Sequence, residues 1–66
     1  MEVENVKKYV GKRCRIILTN NYTYTAVIPD FNGDAFTIKD KFGDEIEIDC
    51  KMIGIIQVMG GVNNDN

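Results

Sequence analysis

The chain predicts a mainly β fold: five short strands in a strongly bent antiparallel barrel, preceded by a short N-terminal α-helix. Three observations carry this expectation. Between Val10 and Val58 the apolar residues fall into stretches of about 5–8 positions, the ordinary length of a strand. Turn-forming clusters separate them at Asn20-Asn21, Asn32-Gly33-Asp34, Lys41-Phe42-Gly43-Asp44 and the Lys51-Met52 step. Two of those turns carry the glycine that positive φ angles favour. A meander with connections this short must bend back on itself to bury its apolar face, so residues 1–59 form one domain.

Residues 2–10 place Val3, Val6 and Val10 at i, i+3 and i+7, with Glu2, Glu4, Lys7 and Lys8 mostly on the other side, as in a short amphipathic helix. The acids sit at its positive end and the lysines near its negative end, which suits the helix dipole. Gly11 is expected to end it. Valine is a weak helix former, so this helix depends on packing across a barrel mouth. The first strand, 12–19, turns Arg13 and Arg15 outward and Cys14, Ile16 and Leu18 inward. In the second, 22–29, Tyr24, Ala26 and Ile28 share one face and Thr23, Thr25 and Val27 the other. Pro29 cannot donate to a ladder, so an edge or bulge is expected there. The third, 35–39, buries Phe36 and Ile38. The fourth, 45–50, alternates Glu45, Glu47 and Asp49 outward with Ile46, Ile48 and Cys50 inward. The fifth, 53–59, differs, because Ile53, Ile55, Ile56, Val58 and Met59 place apolar side chains on both faces. Such a strand needs cover beyond the barrel core, from another subunit or from the helix. Residues 60–66 have the composition of a frayed tail.

Sixty-six residues, 44% hydrophobic and 27% charged, have the composition of a small globular domain. A chain of this size buries only about 60% of the surface it exposes when unfolded, so modest stability is expected. No apolar run approaches the roughly 18 residues of a membrane span, and Glu2 and Glu4 replace the basic start of a signal peptide. A cytoplasmic protein with no membrane partner is expected. The net charge of −2 is unevenly distributed. Lys7, Lys8, Lys12, Arg13 and Arg15 lie within the first fifteen positions, whereas eight of the ten acids come later. Such segregation steers an anionic ligand to one face or docks one subunit on another; its other reading is a pair of solvated strand edges that resist aggregation.

Catalysis lacks material. There is no histidine and no serine, and Cys14 has flanking arginines but no base. Cys14 and Cys50 are spaced unlike any zinc knuckle and read as reduced core residues. The acidic face of the fourth strand reads as solvated, and Gly60-Gly61 lacks the lysine and helix of a phosphate-binding loop. No enzyme, no metal and no cofactor are expected.

Across residues 10–58 the chain resembles the Sm-like (LSm and Hfq-type) family of small SH3-like barrels. Val10-Gly11-Lys12 takes the place of the glycine lead into the first strand, and Leu18-Thr19-Asn20-Asn21 that of the leucine-x-asparagine-glycine turn. Ala26 and Ile28 match a small residue and an aliphatic, Phe31-Asn32 a phenylalanine-aspartate pair, and 48–56 the second family motif. The resemblance implies an RNA-binding or RNA-chaperone module that forms a homo-oligomeric ring, hexameric or heptameric, with the edges of strands four and five pairing between neighbours. Ile46, Ile48, Ile53, Ile55, Ile56 and Val58 are the interface candidates.

In the family's uridine pocket the aspartate position is Asn32 here, whose amide can still read a base edge. The downstream asparagine has no counterpart, and Asp49-Cys50 stands where the family has arginine-glycine. An aspartate beside a phosphodiester repels it. A second RNA surface therefore combines Lys7, Lys8, Lys12, Arg13 and Arg15 with Tyr9, Tyr22 or Phe42 as stacking platforms. Core or rim packing is the other reading of those aromatics. Two functions stay open: a ring that binds single-stranded RNA, or an SH3-like protein-interaction module without RNA-binding activity, ribosome- or polymerase-associated.

Overall fold

A computed structural model of the chain describes residues 1–60, and the expected tail lies, beyond Gly60, outside the described residues. Its elements in order are α1 (Val3–Lys7), β1 (Arg13–Leu18), β2 (Thr23–Val27), β3 (Ala35–Lys39), β4 (Glu45–Asp49), a 3-10 turn (Cys50–Met52) and β5 (Ile53–Val58). The five strands are antiparallel and fall into two sheets, one ordered β2-β1-β5 and the other a β3-β4 hairpin. The expected closed barrel is thus not formed by main-chain pairing. No ladder joins β2 to β3 or β4 to β5. The two sheets bury one core between them.

The core follows the alternation of the sequence. Cys14 and Ile16 of β1 and Ala26 of β2 face Phe36 and Ile38 of β3 and Ile48 of β4, with Val6, Ile28, Phe31, Cys50 and Ile53 completing the cluster. Each fully buried isoleucine contributes about 1.5–3 kcal/mol relative to an exposed one. Arg13 and Arg15 point to solvent between buried neighbours, as period two requires.

The helix is shorter than expected. It ends at Lys7, and Gly11 instead uses a φ of +84° to turn the chain into β1, its N–H donating to the Ile28 carbonyl at 2.8 Å. Tyr9 to Gly11 are diverted because Val10 bridges Ile28 and the Lys12 N–H returns to the Tyr9 carbonyl. Val6 is fully buried, while the Met1 amino group donates to the Cys50 and Ile53 carbonyls at 2.9 and 3.1 Å. The helix is thereby tied to the 3-10 turn. Strand four also stops one residue early, because the Asp49 carboxylate accepts from the Lys51 N–H at 3.1 Å and caps that turn. β2 ends two residues before Pro29.

The β1–β2 hairpin turns at Asn21, the one non-glycine residue with positive φ among those described; its side-chain type tolerates the left-handed region. The β3–β4 turn is built by Asp40. Its carboxylate accepts from the N–H groups of Phe42 and Asp44 at 2.8 and 3.0 Å, and Gly43 supplies the positive φ. Among the described residues no helix is long and apolar enough to cross a membrane.

Candidate functional site

Antiparallel ladders use every second residue for hydrogen bonds and point the intervening N–H and C=O groups away. This rule locates the unpaired edges. Between β1 and β2 the bonded positions are even-numbered, since Leu18 N–H donates to the Tyr22 carbonyl and Ile28 N–H to that of Lys12. The main chain of Thr23, Thr25 and Val27 therefore faces away from β1. Met59 N–H donates to the Arg13 carbonyl, so Ile56 and Val58 turn theirs away on β5. Asp40 N–H and Cys50 N–H fix the β3–β4 phase and leave Glu45, Glu47 and Asp49 facing outward on β4.

Beside the β2 edge lies a groove of about 730 Å³, walled by Thr23 to Val27 on one side and Ile38 to Phe42 on the other, with Arg13 at one end. Three cations line it, Arg13, Lys39 and Lys41. The one acid there is Asp40, whose carboxylate already serves the turn. Phe42 is 77% exposed at the turn tip, with the Lys41 ammonium 5.3 Å from its ring centre. Arg13 and Phe42 were expected in a binding surface from sequence; Tyr24, Lys39 and Lys41 were not. The alternation of Lys39 and Lys41 ahead of Phe42 is visible in the sequence, but nothing local shows that the fold sets them opposite β2.

The other expected residues disperse. Lys7 donates to the Phe31 carbonyl at 2.8 Å and lies 4.9 Å from the centre of that ring, so its ammonium clasps the helix to the loop after β2. Lys7 is nonetheless exposed. Lys8, Lys12 and Arg15 are exposed, and Tyr22 is exposed beside the β1–β2 turn. Asn32 is exposed next to the buried Phe31 and lines neither groove. A second depression, about 560 Å³ between the helix and the 3-10 turn, holds Glu2, Asp34 and Asp49 against two cations, the Met1 ammonium and Lys51. Its walls are acidic.

The interface candidates divide in the same way. Ile48 and Ile53 are each 2% exposed and belong to the core, so the structure corrects their assignment as side-chain contacts between subunits. Ile46 and Ile56 are half-buried. Ile55 and Val58 are 51% and 54% exposed. Tyr9 packs against the core.

Cys14 and Cys50 are buried and unpaired. Burial pushes both thiols above their ordinary 9.0, opposed at Cys14 by Lys12 and reinforced at Cys50 by the Asp49 and Asp34 carboxylates. Both are held as neutral thiols, the opposite of an activated nucleophile. Comparisons of the chain with protein-family models, with curated proteins and with solved structures return no match.

Proposed function

We propose that the chain is a Sm-like, SH3-like-barrel protein of the cytoplasm that assembles into a homo-oligomeric ring and binds single-stranded RNA without enzymatic activity. The observation that carries the assembly is the gap between β4 and β5. These consecutive strands share no ladder, and each keeps an unpaired main-chain edge. On β5 that edge is flanked by the exposed Ile55 on one face and Val58 on the other, apolar side chains that water solvates poorly. Pairing the β4 edge of one copy with the β5 edge of the next satisfies both and repeats head to tail, an arrangement that makes a ring when the rotation per subunit closes. It also sets the acids Glu45 and Glu47 toward a sheet whose outer face carries Arg15. The RNA component rests on the family resemblance and on exposed Lys8, Lys12, Arg13 and Arg15. Sedimentation at micromolar concentration is expected to show an oligomer. Single-stranded RNA should be retarded at low salt, where phosphate contacts are strongest, and a monomer that leaves RNA unshifted would sink the reading.

A second reading is favoured by the acidic depression formed by Glu2, Asp34 and Asp49, where phosphate is repelled. On this reading the domain is a protein-interaction module without RNA binding. Charge reversal at Asp44, Glu45, Glu47 and Asp49, the last of which lines that depression, then abolishes capture of a basic partner, and unchanged capture counts against this reading.

A further inference from the structure

We infer that the groove between β2 and the β3–β4 turn is a docking site for an acidic, extended peptide segment of a partner protein, which adds to the β2 edge as a further strand. The inference stands apart from the proposed ring, which uses β4 and β5.

The β2 edge presents the outward N–H and C=O groups of Thr23, Thr25 and Val27, and β3 does not pair with it. An unpaired edge is ordinarily protected by a charge, a proline, a bulge or a covering element. Within Thr23–Val27 there is no charged residue and no proline, and the register with β1 runs without a bulge. A row of open main-chain groups beside a groove is the geometry of strand addition, in which main-chain hydrogen bonds supply affinity and flanking pockets supply selectivity.

The walls specify the chemistry of the added strand. Arg13, Lys39 and Lys41 face the groove, and among the described residues none of them is engaged in an ion pair. Asp40 offsets one of these three cations, so positive charge still predominates in the groove. Carboxylates on the incoming strand answer these cations. The β3–β4 turn places Phe42 at the rim, so an apolar side chain of the ligand meets an exposed ring there. Single-stranded nucleic acid could use the cations and the ring, but it leaves the β2 N–H and C=O row unsatisfied. A second copy of this chain docking β2 against β2 sets two clusters of like charge together.

The test uses the full chain and a fluorescein-labelled peptide in which Asp or Glu alternates with Val or Phe. Saturable binding is expected, with the backbone amide resonances of Thr23, Thr25 and Val27 shifting and those of Glu47 and Val58 unmoved. A peptide of the same composition with a central proline, which removes a ladder donor, should bind about tenfold more weakly or worse. So should the wild-type peptide to Lys39→Glu/Lys41→Glu and to Phe42→Ala, all exposed positions whose variants keep the fold. Equal binding of the proline peptide, or shifts confined to the β4 and β5 edges, overturns the proposal. Oligouridine that moves the β2 amides when the acidic peptide does not makes nucleic acid the occupant and also overturns it. A dependence of those amides on protein concentration alone makes the occupant another copy, with the same consequence.

Discussion

Ile48 and Phe42 are both large apolar side chains near the β3–β4 hairpin, and their roles are opposite. Ile48 is sealed between the sheets, so Ile48→Ala leaves a cavity and is expected to cost about 2–5 kcal/mol in urea denaturation. Phe42 touches little of its own chain, and Phe42→Ala should change stability by no more than about 0.5 kcal/mol. Asp40→Ala should cost about 1 kcal/mol in the same assay, because two turn N–H groups lose their acceptor. The thiols give a pH dependence. Because the folded values lie above the ordinary 9.0, the folded chain holds these protons more tightly than the unfolded one. Their contribution is full below pH 9.0 and is lost as pH rises through the folded values. Urea midpoints should therefore fall less steeply above pH 9.0 in a Cys14→Ala/Cys50→Ala variant than in wild type; parallel curves would contradict this. At this scale the sequence marked the alternating core positions, since period two is a local signal. It did not reveal the Lys7 clasp or the burial of Ile53, because a lysine that reaches a distant carbonyl and an isoleucine that joins the core cluster are decided by tertiary contacts.

Strands are legible wherever polar and apolar residues alternate, and β3 falls on the residues expected, Ala35–Lys39. The ends that differ have physical causes: Asp49 capping the 3-10 turn cuts β4 short, and the Val10–Ile28 bridge diverts the chain from the helix. What alternation could not reveal is which strand edges stay open, because pairing partners are set by the whole topology. β5 is the informative case. Its two-faced apolar pattern asks for additional cover, and the fold leaves Ile55 and Val58 uncovered at a free edge. Val58→Lys puts a charge on that edge and should dissociate the assembly while leaving the far-ultraviolet dichroism of the chain unchanged. An assembly that survives this change would place the interface elsewhere.

The whole molecule is two small sheets closed over a core by a helix, with a gap on either side. One gap, between β4 and β5, is bordered by acids and exposed apolar residues; the other, along β2, by cations and an aromatic tip. The five-stranded, antiparallel, mainly β chain with its short helix was legible in the sequence, and the basic and acidic segregation along the chain was too. The groove was not, since it joins residues from β2 and the β3–β4 turn across a space that no local pattern encodes. The central claim is that the β4 and β5 edges join copies of this chain. Light scattering without RNA, at low and at high salt, tests it most directly. The account predicts a mass of about six or seven subunits that persists at high salt, as a contact built on main-chain pairing and apolar burial should. A mass of 7.5 kDa at both salts would contradict it.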